Sequence, residues 1–279
     1  MFLPTVQSSA PQNSAPADKP ITVRSSKTSA QLAALDALDA GTEELKNGQY
    51  EKAIDDFKDA KLFDPSLLNA RLYLATAYAS GYVTASPSDD NRRSGELAVA
   101  EFQDVLRIDP RNLAVMDALG SLKFQMAAGS PLSTELLRES KSYFQNHIKL
   151  NPTDPPPHYR IGVIDWTLAF TSNSELRKTF RESEADPLPP SLRERYLADC
   201  GKTIQEGIDS LKEAISLLPD YDEAMAYLSL LYRRKADFVD NQSDRDTLIG
   251  MADDLVERVK EIKSKRAEQP AQPQAGPVE

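Results

Sequence analysis

The chain has 279 residues, 43 acidic against 33 basic side chains for a formal charge of −10, one cysteine, two histidines, one tryptophan and 11 glycines. Cys200 alone cannot close an internal disulfide, and with His147 and His158 it cannot complete a zinc site of nitrogen and sulfur ligands. The acidic balance opposes phosphate backbones and anionic lipid, the scarce glycines disfavour a nucleotide-binding turn, and no run of about 18 apolar residues is present to span a bilayer as a helix.

Residues 1–28 are dominated by Ser, Pro, Gln and Ala without apolar period, and are expected to form a disordered tail. The segment lacks a basic start, and its apolar stretch, Phe2 to Val6, is too short for a signal peptide. Linkers that follow a cleaved export signal share this composition. The location expected is therefore cytoplasmic as the sequence stands, and periplasmic or otherwise extracytoplasmic if an export signal precedes Met1.

Residues 29–267 read as one all-α domain, because apolar residues recur at three and four and strand alternation is absent. Prolines punctuate it. LFDP ends at Pro65, RIDP at Pro110, KLNP at Pro152 and LLP at Pro219, each after an apolar-rich helix end that proline cannot continue. Counting back 12, 8 and 5 residues gives Ala53, Phe57, Ala60; Ala98, Phe102, Val105; Ser140, Phe144, His147; and Gly207, Leu211, Ala214. A small-large-small face of this kind lets a neighbouring helix close around a large anchor. About ten residues after each proline comes a small residue behind an apolar one: Leu74-Ala75, Leu119-Gly120, Ile161-Gly162 and Leu228-Ser229, with Ala40-Gly41 in the first unit.

The pattern resembles the tetratricopeptide repeat, a helix-turn-helix unit of about 34 residues. Residues 41–65 carry it most fully, with Gly41, Gly48, Tyr50, Ala53, Phe57, Ala60 and Pro65 at the family's spacings. The resemblance covers about 240 residues as five units. The proline gaps of 45, 42 and 67 exceed the unit length and place insertions between the paired helices, at Gly81 to Gly95, Ala127 to Ser133 and about Phe170 to Pro190. The third is long enough for a helix of its own, about Ser174–Ser183. Ser191–Glu194 (SLRE) has the form of a capping box, so the helix after it is expected to start early and run long. The last unit pairs Glu223–Lys235 with a helix over about Ser243–Arg266, whose stripe Leu248, Ala252, Leu255, Val259, Ile262 closes the array beneath a charged outer face. Residues 268–279 are a second Pro/Gln tail, also expected to be disordered. The resemblance implies a right-handed, curved helical-hairpin solenoid with first helices on the concave side and the insertions along one edge.

No residues support catalysis. Gly201-Lys202-Thr203 looks like the end of a phosphate loop, but Tyr196 stands where the earlier glycine is required. Asp240 to Asp246 is acidic and loop-like, but Arg245 holds the place a calcium loop gives to glycine. His147 is expected to pack on a helix face or be partly exposed, His158 to be a partly exposed first-turn residue, and Cys200 and Trp166 to be core, Trp166 with the option of facing the groove. No cofactor and no metal is expected.

In the resembled family, ligands are held by the concave face of the first helices. The places matching the chaperone-binding clamp are Leu38, Thr42, Tyr73, Ala114 and Ala118, none basic and none Asn, which argues against capture of a chaperone's C-terminal tail. The face offers instead Tyr73, Thr76, Asp117, Ser121, Phe124, Tyr159, Arg160, Tyr227 and Arg234, aromatics with an occasional Arg, the residue types of interface hot spots. The expected function is a non-catalytic scaffold that docks a protein or peptide through this face or the inserted loops, with neither nucleic acid nor an integral membrane segment involved. The alternatives are an envelope assembly factor of the same fold and a ligand sensor using the 170–190 insertion.

Overall fold

The computed structural model describes residues 27–128, 133–183 and 188–268. Nearly all of both expected tails, and parts of the second and third insertions, lie outside the described residues. Among the described residues there are ten helices: α1 Ser29–Lys46, α2 Tyr50–Phe63, α3 Leu68–Gly81, α4 Asp89–Ile108, α5 Leu113–Ala127, α6 Thr134–Leu150, α7 Pro155–Phe180, α8 Pro190–Leu217, α9 Asp222–Ala236 and α10 Gln242–Glu268. They pack as five antiparallel hairpins, α1/α2 through α9/α10, each against the next.

The helix ends follow from local chemistry. Thr28 and Gln31 form a capping box at the start of α1, and Ser88, Asn112 and Ser133 accept from the first-turn amides of α4, α5 and α6. The second helices of units one to three stop at Asp64, Asp109 and Asn151 with φ of −137°, −124° and −141°, the extended geometry that a following proline imposes on its predecessor. Leu218 ends α8 in the same way before Pro219.

Packing within each hairpin is a large anchor on a small socket. Phe57, Phe102, Phe144 and Leu211 are buried on the second helices. Three of them face glycine: a Cβ added at Gly41 would lie 2.8 Å from Phe57, one at Gly120 2.7 Å from Phe144, and one at Gly162 2.6 Å from a Leu211 methyl. Ala75 serves Phe102 in the same cluster. A hydrogen bond locks one of these contacts, Ser140 Oγ donating to the Gly120 carbonyl at 2.6 Å, and a second ties α8 to α7 further along, Tyr196 Oη donating to the Ala169 carbonyl at 3.0 Å.

Several local expectations are corrected. Residues 174–180 continue α7 unbroken, so the third insertion begins as an extension of a repeat helix rather than as a separate one. The segment 171–180 contains neither proline nor glycine, and α7 ends only where Arg181 turns left-handed at φ 57°. α8 does start early and run long, but Pro189 holds its N-cap position and no side chain caps it, so the SLRE box is not formed. His158, expected to be partly exposed, is buried, its Nε2 lying 2.9 Å from the Pro152 carbonyl. His147 is packed on its helix face, 2% exposed, the first of its two expected placements. The KLNP turn folds back over the start of α7 and covers it. Along α10 the stripe faces inward, with Ala252 and Ile262 buried.

Candidate binding groove

The first helices α3, α5, α7 and α9 present a shared surface. Between α3 and α5 it holds a cavity of about 250 Å³ with Phe102 and Leu122 as its large apolar walls and the uncharged Thr76, Ser80, Ser121 and Gln125 as its polar lining. Between α5 and α7 a second cavity of about 260 Å³ is walled by Phe124, Phe144, Val163 and Ile164, with Ser121, Gln125 and Arg160 at its polar edge.

Between α7 and α9 the surface becomes aromatic. Tyr221 lies against Tyr159 with centroids 5.1 Å apart, Tyr159 meets Tyr227 edge-on at 5.8 Å, Tyr227 meets Trp166 at 5.4 Å, and Trp166 stacks on Phe170 at 5.2 Å. Such offset and edge-to-face pairs each add about 0.5–1.5 kcal/mol beyond their burial, so the row is held as a unit. Phe170 is exposed and the other four rings are half-buried, each keeping part of its surface open. The Arg160 guanidinium sits 5.7 Å from the Tyr159 centroid, a cation–π distance, and makes no ion pair among the described residues. Burial, with Tyr159 alongside, pushes the Tyr221 hydroxyl up to about 12, so it is neutral at physiological pH.

The nine residues singled out from sequence divide in two. Thr76, Ser121, Phe124, Arg160, Tyr159 and Tyr227 line this continuous surface. The other three are engaged internally. Tyr73 stacks on Phe57 at 5.7 Å within the first unit's core. Asp117 lies 2.7 Å from Nδ1 of buried His147, and its carboxyl is raised by burial although His147 draws it down. Arg234 pairs with Asp237 at 3.1 Å and donates to Asn173 at 3.0 Å, joining a network with buried Arg177 that ties α7 to α9. The row adds Tyr221, Trp166 and Phe170. A signal for the last two existed, since 159, 166 and 170 are spaced 7 and 4 on one helical face.

No protein-family model matches the chain, and no curated protein matches it. Solved structures do. A MamA protein superposes with a TM-score of 0.56 at 16% identity, covering 86% of this chain and 98% of its own. MamA from residue 41 onward of Desulfovibrio magneticus RS-1 gives 0.56 at 15% identity, with 85% and 98% covered. YrrB, described as a TPR protein with an unusual peptide-binding site, gives 0.50 at 13% identity, with 83% and 92% covered. Ten helices in five stacked hairpins, proline stops and anchor-on-socket packing, together with these likenesses, establish that the chain folds as a tetratricopeptide-repeat solenoid.

Proposed function

We propose that the chain is a non-catalytic interaction scaffold that holds an extended segment of a protein partner along the groove, with contact concentrated on α7 and α9. The observation that carries this reading is the row of five rings, four half-buried and Phe170 exposed, beside Arg160, which makes no ion pair among the described residues. Rigid aromatics and Arg dominate binding energy at protein interfaces because they offer large contact area at small entropic cost. The peptide-binding site named for YrrB, on the same fold, supports it. So does the placement of Asp165, whose carboxyl burial raises to about 7: its partners Lys141 and Glu206 lie on α6 and α8, outside the cavities and the ring row of the groove. No helix among the described residues is long and apolar enough to cross a membrane, and the acidic chain offers little to phosphate, so a protein or peptide is the partner proposed.

The test is a full-length variant with Tyr159, Arg160 and Phe170 replaced by Ala. These keep the anchors of the hairpins intact, whereas a Tyr73 change would disturb the first unit. Peptides selected from a displayed random library against the native chain should bind the variant at least about tenfold more weakly, the loss expected for truncated hot-spot residues. Undiminished binding, with an unchanged melting temperature, would move the docking site off this face.

A further inference from the structure

We infer that the α5–α7 cavity and Arg160 together select a partner segment in which a large apolar side chain (Leu, Met or Phe) stands within two positions of an Asp or Glu. This rests on the reading of the groove as the binding surface and names the sequence that its middle section takes.

The cavity is preformed. Phe144 of α6 and Val163 and Ile164 of α7 form much of its wall, and all three are buried. Phe144 is held in the Gly120 socket, where a Cβ would come within 2.7 Å of it, and Ser140 ties the same two helices through the Gly120 carbonyl. Walls packed in this way do not collapse into the space, so an entering group loses little to rearrangement. At about 260 Å³ the cavity falls below the usual range of about 300–1,000 Å³ for small-molecule sites, and it suits one large side chain. Pockets that strip water from a single anchor are where a few side chains supply most of the binding energy.

Arg160 sets the polar half. It lines the same cavity, is exposed, and makes neither a hydrogen bond nor an ion pair among the described residues. Its contact with the Tyr159 ring at 5.7 Å neutralises no charge and leaves its N–H donors without an acceptor, in the planar fork that matches a carboxylate. The carboxylates that share its surroundings are spoken for or remote. Asp117 and Asp154 lie 2.7 and 3.1 Å from the two ring nitrogens of buried His147. Glu223, which acts on Tyr159 and Tyr221, is exposed. None of the three pairs with Arg160, so its acceptor has to come from the partner.

The α3–α5 cavity is similar in volume, about 250 Å³, but no charged side chain lines it, so the acidic preference belongs to the α5–α7 cavity. Arg160 stands at the edge of the cavity it lines, and an extended chain advances about 3.3 Å per residue, which puts the acid one or two positions from the apolar anchor. The groove continues past Arg160 into the ring row, so the pair belongs to an internal stretch of the partner and not to a chain end.

Selection from a displayed random peptide library, read by sequencing, tests this on the full-length chain and two full-length variants. Peptides selected on the native chain should be enriched in the apolar–acidic pair by about tenfold or more over the unselected library. On Arg160→Glu, a change at an exposed position, the acidic preference should turn to Lys or Arg while the apolar one stays. On Ser121→Leu, which fills the cavity, the apolar preference should go while the acidic one stays. If Ser121→Leu lowers the melting temperature, Gln125→Leu at the exposed edge takes its place. Absence of acidic enrichment on the native chain, the same enrichment on Arg160→Glu, or an apolar preference that survives the filled cavity would each overturn the proposal. So would a preference for Lys or Arg on the native chain, which would mean that Asp117, Asp154 and Glu223 govern the groove. In any of these cases, selected peptides that the Tyr159, Arg160, Phe170 variant still loses leave the scaffold reading standing. A library that yields no binder overturns both.

Discussion

Replacing Lys141 with Met is expected to destabilise the solenoid by about 3–5 kcal/mol at about pH 8, and by clearly less at about pH 5.5, measured by urea unfolding followed by circular dichroism. Lys141 on α6 reaches both oxygens of Asp165 on α7, at 2.7 and 2.9 Å, and Glu206 on α8 at 2.7 Å. Asp165 has no exposed surface. Burial pushes its carboxyl up to about 7, Lys141 opposes that rise, and Glu206 adds to it. Without the ammonium, a buried carboxylate faces Glu206 with nothing to offset its lost hydration, which is the costly way to break a buried pair.

The pH sign follows from linkage. A carboxyl raised in the folded state from its ordinary 3.8 to about 7 takes up a proton more readily folded than unfolded, so its contribution to stability falls as pH rises through that window. In the Met variant the carboxyl goes higher still, and acid relieves the penalty by protonating it. Glu206 is lowered, chiefly by its hydrogen bond to Lys141, and loses stability only as pH drops below the ordinary carboxylate range. It therefore leaves the comparison at about pH 5.5 undisturbed. Changing Asp165 to Asn together with Lys141 to Met should restore most of the loss, since no charge is then stranded in the interior. An equal cost at both pH values would mean that Lys141 acts through its packed methylenes instead.

The repeated parts of this fold were legible because one interface is used again and again. Every hairpin needs a small residue where a large one lands, so Gly41, Ala75, Gly120 and Gly162 recur behind an apolar neighbour, and every second helix needs a stop, so proline recurs. The parts that escaped depend on a single position. The end of α7 is set by the backbone turn at Arg181, a residue type with no preference for that geometry, and repeat length alone suggested an end near Phe170. The ring row is assembled from two hairpins: Tyr159, Trp166 and Phe170 share a helical face, but Tyr221 and Tyr227 reach them only because α9 packs directly on α7. The internal roles of Tyr73 and Arg234 were hidden for the same reason, since Phe57, Asn173 and Asp237 lie elsewhere in the chain. Periodicity gives the face of a residue and not its partner.

The sockets allow a second strong expectation, with a control of opposite sign. Gly162→Val should destabilise the chain by roughly 1–3 kcal/mol, the usual cost of adding volume to a packed core. A Cβ at this position would overlap the Leu211 side chain, coming within 2.6 and 2.7 Å of its two methyls. Leu211 has no exposed surface and cannot swing into solvent. α7 and α8 would have to separate, and the strain would reach the Lys141–Asp165–Glu206 contact that spans α6, α7 and α8. Trimming the anchor should relieve it: Leu211→Ala alone leaves a cavity costing about 2–5 kcal/mol, yet in the Gly162→Val background the added methyls fill part of that space, so the double variant should be more stable than the sum of the two losses predicts. The control is Gly250→Ala on α10, where a new Cβ meets nothing within 4 Å. There only backbone entropy changes, and the substitution should stabilise by about 0.5–1 kcal/mol. Thermal unfolding of the four variants beside the native chain reads all these signs. Strict additivity between positions 162 and 211 would mean that the socket does not hold the anchor, and that the glycine is there for some reason other than the close approach of the two helices.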